Sequence, residues 1–253
     1  MRLLALDFDG VIADSAREAF AVALRTWGEL HPRSPLAGRE EDAALYAGFL
    51  ELMPLGNRAE DYAVALAALE AGVALADQRD YDAFYAGRDP AALRAFHLRF
   101  YRVRAAWAEA DPAGWLAATP AYPEVCAMLR RRAGEVELAI ATSKDRRSVR
   151  RLLGAYGISD LFAEHRVLDK EAGVRKRSHV ASLAQELGEP ASAVTFVDDK
   201  VTHLLDVAPL GARCVLAAWG YNGVRERREA EQAGLLVCGL HDVEAQLFGN
   251  RAT

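Results

Sequence analysis

Leu3-Leu4-Ala5-Leu6 is apolar without a break, and the run stops at Asp7. A half-buried strand alternates apolar and polar residues. An unbroken run suits a strand covered on both faces, as in a parallel sheet. Comparable runs recur at Val136 to Ala141, Ala193 to Val197, Arg213 to Ala218 and Leu235 to Cys238. Helical spacing fills the intervals. Val149, Leu152, Leu153 and Tyr156 share one face, as do Val180, Leu183 and Leu187, with Gly188 as a stop signal. Strands alternating with helices predict an α/β fold built on a doubly wound parallel sheet.

The first run is separated from the second by a stretch that reads as helix only. Phe20, Leu24, Trp27 and Leu30 fall three or four apart, as do Tyr62, Leu66 and Leu69. Leu93, Phe96, Phe100, Val103 and Trp107 form the longest stripe, and its polar neighbours Arg94, His97, Arg99, Arg102 and Arg104 read as a solvated basic face. The chain has 253 residues, whereas a doubly wound core needs about 150. The expected organisation is therefore a core of residues 1–15 and 117–253 with an all-helical domain, 16–116, inserted after strand one.

Composition narrows the function classes. With 52% hydrophobic and 26% charged residues the chain can bury a full core. A net charge of -5 gives no broad basic field, so no nucleic-acid partner is expected. No window approaches the ~20 apolar residues of a membrane span, so no membrane partner is expected either. Cys126, Cys214 and Cys238 are odd in number and lack metal-ligand spacing, which fits a reducing compartment. The N-terminal apolar stretch is too short for a signal peptide and meets acids at once. The expectation is a cytoplasmic protein. Oligomeric state is unreadable.

In open α/β sheets ligands bind outside the carboxyl ends of the strands. After strand one comes Asp7-Phe8-Asp9-Gly10-Val11-Ile12-Ala13-Asp14-Ser15, after the second run Thr142-Ser143-Lys144-Asp145, and after the third Asp198-Asp199-Lys200. Four carboxylates on one rim repel unless something offsets them. A bound Mg²⁺, a hard cation taking oxygen ligands, is the natural answer. Of an Asp-x-Asp pair, one carboxylate can attack phosphorus, and the other can protonate the leaving oxygen and then take a proton from water. Gly10 lets the backbone turn sharply beside them. Thr142, with Ser143 as the other register, sits where a hydroxyl and a backbone N–H can hold phosphate oxygens.

DFDGVIADS, a hydrophobic strand ending in ATSK, a downstream lysine and FVDD together resemble the haloacid dehalogenase superfamily. RCVLAAWGYN resembles the strand and loop after the fourth motif in phosphoglycolate-phosphatase-like members, and the insert resembles the helical C1 cap. The resemblance implies a fold of the same kind, with substrate bound between core and cap. It makes Asp7 the nucleophile, Asp9 the general acid/base with its backbone carbonyl on Mg²⁺, and Thr142 a phosphoryl ligand. Asp199 becomes the downstream Mg²⁺ ligand with Asp198 assisting. The third-motif lysine is Lys170 or Lys176. The chain has only four lysines, and Lys144 and Lys200 lie beside other motifs. Lys176 is preferred because it immediately precedes the helix beginning near Ser178, as in the family pattern. Arg177 stands where the family has proline, and His203 where it has an acid.

The second acid, Asp9, favours phosphoryl chemistry over dehalogenation, since a halide leaving group needs no proton. Ala19 stands where mutases carry a cap histidine, and the insert contains no lysine for Schiff-base phosphonate cleavage. The implied activity is hydrolysis of a small phosphorylated metabolite through an aspartyl-phosphate. A phosphotransferase or phosphomutase and a non-catalytic binding protein are the alternatives. In the insert, Pro54-Leu55-Gly56-Asn57-Arg58 offers an Asn cap and an arginine, Arg58, that could reach substrate. An interhelix turn is the plainer reading. Asp14-Ser15 reads as the cap of the first insert helix, His203 as a polar neighbour of the metal site or a surface position, and Arg225, Arg227 and Arg228 as a solvated charge run.

Overall fold

A computed structural model describes residues 1–56 and 58–249. The chain divides into two compact units, one of Met1–Asp14 with the segment from Pro120 onward, the other Ser15–Thr119. The first unit opens with β1 (Leu3–Leu6). The second holds α1 (Ala16–Leu30), α2 (Ala43–Leu52), α3 (Ala59–Ala71), α4 (Gln78–Ala86), α5 (Pro90–Ala110) and α6 (Pro112–Ala117). The first unit then resumes with α7 (Pro123–Arg132), β2 (Glu137–Ala141), α8 (Arg146–Ala155), β3 (Val167–Leu168), α9 (Lys176–Leu187) and β4 (Val194–Asp198). It ends with α10 (Val201–Val207), β5 (Arg213–Ala217), α11 (Val224–Gln232), β6 (Leu236–Cys238) and α12 (Val243–Phe248).

The six strands form one parallel sheet in the order β3-β2-β1-β4-β5-β6. β1 lies centrally, and all four of its residues are buried. Leu3 and Ala5 join Ala139, Phe196 and Leu216 in a cluster with Val180 and Leu183 of α9 and Leu204 of α10. Both faces of β1 are thus covered, which is why its apolar run does not alternate. Gly188 ends α9 in the left-handed conformation, φ 66°, as the stop signal predicted. β3 has only two residues, too short for a hydrophobic run to announce it.

Chain order and strand order fix where a site can form. From β1 the chain builds outward to β2 and β3, then returns to place β4 on the other side of β1. The switch point therefore lies between β1 and β4, where α/β sheets open a crevice at their carboxyl edge. Leu6 aligns with Ile140 and with Val197. The next residue on each strand, Asp7, Ala141 and Asp198, therefore reaches the same edge.

Within the helical unit an aromatic chain joins four helices. Phe20 meets Phe49 at 5.3 Å, Phe49 meets Tyr62 at 5.4 Å, and Tyr62 meets Phe100 at 5.5 Å between ring centroids. Aspartates cap the helices: Asp42, Asp77, Asp89 and Asp111 accept from Leu45, Asp80, Ala91 and Gly114 N–H, each at 2.9 Å. Ser15 occupies the cap position of α1 without a side-chain cap bond. Asn57 lies outside the described residues. The α5 surface departs from the sequence reading: Arg104 is buried while Val103 and Trp107 are only half-buried. Arg104 Nε donates to Glu18 Oε1 at 2.6 Å and Nη2 to Oε2 at 2.9 Å, and Trp115 Nε1 adds a bond to Glu18 at 3.2 Å. The expected basic face was correct in charge but wrong at this residue, because a buried glutamate on α1 supplies a partner. Among the described residues no helix is long and apolar enough to cross a membrane.

Candidate active site

Asp7 leaves β1 with its N–H still bonded to Val197 O at 2.9 Å. The following turn wraps back on itself: Phe8 O accepts from Ile12 N at 2.9 Å and Ala13 N at 3.0 Å, and Gly10 takes φ +76°. Only glycine adopts that conformation at little cost. A side chain on Gly10 would also strike the Asp199 carboxylate, so the turn and the β4 loop pack backbone against acid.

Lys176, the first residue of α9, sends its buried ammonium to the end of β1. Nζ lies 2.7 Å from Asp7 Oδ1, 2.6 Å from Ala141 O and 3.8 Å from Asp198 Oδ2. Lys170 sits in the short turn Lys170–Ala172. Of the two lysines read from the sequence, Lys176 is the one brought to Asp7. Burial pushes the Asp7 carboxyl up, opposed by Lys176.

Thr142 is buried at the end of β2, with its N–H on Leu168 O at 2.8 Å. Its Oγ1 accepts from Lys144 N at 3.2 Å. Asp145 then caps α8 by accepting from Ser148 N at 2.9 Å. Ser143 is half-buried. Lys144 is a residue the sequence reading set aside. Its side chain is 1% exposed, and Nζ donates to Asp9 Oδ1 at 2.9 Å. Its place two residues after Thr142 was the available signal.

The two acids after β4 differ sharply. Asp198 accepts from Lys200 N at 2.8 Å and pairs with His203 Nδ1 at 3.0 Å. Burial works against its ionisation, but His203 and Lys176 outweigh burial and hold it at about 2. Asp199 Oδ2 accepts from Tyr221 N at 2.7 Å, while its Oδ1 is buried without a hydrogen-bond partner among the described residues. Burial, with Asp198 and Asp7 nearby, pushes the Asp199 carboxyl well above the usual range.

Asp199 is held by the loop that ends RCVLAAWGYN, a contact that the sequence reading of that loop did not predict. Asn222 Nδ2 donates to Asp199 O at 3.1 Å and to Ala217 O at 2.9 Å. Arg227 Nε donates to Asn222 Oδ1 at 2.9 Å and Nη2 to Ala218 O at 2.7 Å. The expected solvated run of Arg225, Arg227 and Arg228 is therefore corrected at Arg227, which ties this loop, while Arg225, paired with Glu226, and Arg228 are exposed. Asp14 accepts from the Tyr221 hydroxyl at 3.2 Å.

Three buried carboxylates thus share one crevice, with the Lys176 ammonium against Asp7 and the Lys200 charge near Asp199. The bare Asp199 oxygen is the observation that tests a cation: a buried acceptor without a donor is expensive unless an ion or water takes it. Oxygen donors on Asp7 and Asp199 fit a hard divalent ion. Asp7, Asp198 and His203 also bring ligand atoms within 4.8 Å of one another. Arg58 belongs to the helical unit. It heads α3, with Nε 3.2 Å from Asp61 Oδ2 and Nη1 3.7 Å from Glu60 Oε1.

Strand-end acids on a doubly wound sheet, with a lysine reaching across to the first of them, define a hydrolase class. A haloacid dehalogenase-like hydrolase family model matches residues 1–205, and the chain belongs to that family. Its fold is shared by a predicted phosphoglycolate phosphatase from Haemophilus somnus, with TM-score 0.67, 19% identity and 98% of both chains covered. A haloacid dehalogenase-like family protein from Streptococcus pneumoniae gives TM-score 0.68 at 15% identity, again with 98% of both chains covered. A HAD family hydrolase from Deinococcus radiodurans, solved with bound phosphate and sodium, gives 0.59 at 18% identity over 98% of this chain and 95% of that one. No curated protein matches the chain.

Proposed function

We propose that the chain is a Mg²⁺-dependent phosphatase that hydrolyses a small phosphate monoester through an aspartyl-phosphate on Asp7. The observation that carries this reading is the Lys176–Asp7 contact of 2.7 Å inside a cluster of strand-end acids. Lys176 opposes the effect of burial on Asp7, holds it in place, and presents positive charge where phosphoryl oxygens would gather. Asp7 attacks phosphorus in line, forming a carboxylate–phosphorus bond as the bond to the ester oxygen breaks. Asp9 gives its proton to that leaving oxygen. Asp9 then takes a proton from water, whose oxygen attacks the same phosphorus, releasing phosphate and restoring Asp7. The Thr142 hydroxyl and N-terminal turn of α8, with Ser143 and Gly10, orient the phosphoryl oxygens.

Asp7, Asp199 and the Asp9 carbonyl are assigned to the metal, with Asp198 assisting through its hold on Lys176 and His203. Mg²⁺ bound there neutralises charge on the phosphoryl group. The helical unit is assigned the role of a cap that sets specificity, with Arg58 as its candidate substrate contact. Phosphate release from 4-nitrophenyl phosphate tests the reading. It should require Mg²⁺ and vanish in Asp7→Asn, and undiminished turnover in that variant would overturn the mechanism.

A further inference from the structure

We propose that the helical unit carries a second small-molecule site, a pocket for an organic oxyanion built on Arg88, Arg94 and His97. The pocket has a volume of about 570 Å³ and is lined wholly by residues of that unit. Ligand cavities run from roughly 300 to 1,000 Å³, so the size suits a metabolite.

Its charge is unbalanced. The Arg88 guanidinium lies 4.2 Å over the Phe84 ring, and its buried Nε has no hydrogen-bond partner among the described residues. Arg94 is exposed and makes no ion pair among them. Arg104 and Arg146, by contrast, each meet a carboxylate. A guanidinium with a buried, unanswered N–H calls for an acceptor, and its fork matches carboxylate and phosphate oxygens. Glu60, the acid that lines the pocket, does not answer them. It is engaged by His97 Nδ1 at 2.8 Å and Arg58 Nη1 at 3.7 Å. The Glu60 contact instead fixes the His97 ring.

The remaining walls are apolar apart from the Tyr85 phenol. Leu93 is buried, and Leu98 is 52% exposed. A hydrocarbon or aromatic body against these leucines, with its oxyanion on the two arginines, satisfies both halves of the pocket.

Calorimetric titration of the full chain with benzoate, phenylphosphonate and inorganic phosphate tests this. Wild type is compared with Asp7→Asn and with an Arg88→Ala, Arg94→Ala double variant. At least one probe should bind more tightly than about 1 mM, keep that affinity in Asp7→Asn, and lose tenfold or more in the double variant. Binding of benzoate assigns a carboxylate ligand, and binding of the other two assigns a phosphorus oxyanion. Should the double variant not fold, Arg94→Gln at its exposed position should still lower the affinity. Absence of binding by all three probes, or binding that ignores the arginines or follows Asp7 instead, overturns the proposal.

Discussion

Lys176 Nζ lies 2.7 Å from Asp7 Oδ1, although one residue opens α9 and the other follows the last residue of β1. The lysine also anchors on Ala141 O, so its ammonium is fixed by backbone as well as by charge. Lys176→Met removes the cation and leaves its carboxylate neighbours buried. We expect turnover to fall roughly 10²–10³-fold, the usual loss for a preorganised electrostatic contact. Lys176→Arg should not restore it, because the planar guanidinium does not fit a site where lysine is 2% exposed. Steady-state kinetics of both variants on 4-nitrophenyl phosphate checks this.

Metal affinity should depend on residues that do not touch the metal. Asn222 and Arg227 brace the loop that donates Tyr221 N–H to Asp199. Outer contacts of this kind are worth about 10–100-fold in affinity. Asn222→Ala and Arg227→Ala should weaken Mn²⁺ binding by about tenfold or more, read from the free-ion electron paramagnetic resonance signal. Gly220→Ala should act more severely, since a Cβ there meets Gly10 O at 2.5 Å and collides with the Asp199 side chain.

Much of the geometry of this candidate site was legible in the sequence. An apolar run ending in Asp7 announces both a doubly covered strand and an acid at its carboxyl end, because burial and chemistry leave separate marks in adjacent residues. Lys176, Thr142, Asp198 and Asp199 follow strand or helix boundaries in the same way. The contacts of Lys144, Asn222 and Arg227 left no such mark, although Lys144 ends ATSK and Asn222 ends RCVLAAWGYN. Their roles arise from side chains reaching across loops, and no local period encodes that. Arg104 shows the converse failure, since a charge on an amphipathic helix reads as solvated until its partner, Glu18, is found far away in sequence.

The Glu18–Arg104 pair should dominate the stability of the helical unit. Glu18 is fully buried and Arg104 is 7% exposed. Glu18→Ala strands a buried guanidinium, which costs about 3–5 kcal/mol. Replacing both, as Glu18→Leu with Arg104→Met, should recover much of that loss because no charge is then left unpaired. Urea denaturation midpoints of the single and double variants measure the difference.

Acid should destabilise the fold through His179. Its ring is buried in α9, and burial together with Lys176 pulls its pKa down to about 4, against a backbone hydrogen bond at Gly173 that works the other way. The unfolded chain protonates this histidine near 6.5, whereas the folded chain resists until about 4. Stability is therefore lost as pH falls between those values. The contribution from this residue should be up to about 2 kcal/mol smaller at pH 5 than at pH 7. His179→Leu should flatten that part of the pH dependence, measured by urea denaturation at both values.

The chain leaves the sheet unit and returns to it through one short ribbon. Asp14 N donates to Pro120 O at 2.8 Å, Tyr122 N to Ile12 O at 2.9 Å, and Ala13 bridges Ala121 in antiparallel fashion. To the sheet, everything between these residues is the loop of a hairpin whose stem is already zipped. Closing a loop costs little more as it lengthens, about 0.6 kcal/mol per doubling. The stem therefore works as a splice joint: helices can be added, lost or exchanged beyond it while the strands that carry Asp7 and Asp199 keep their register.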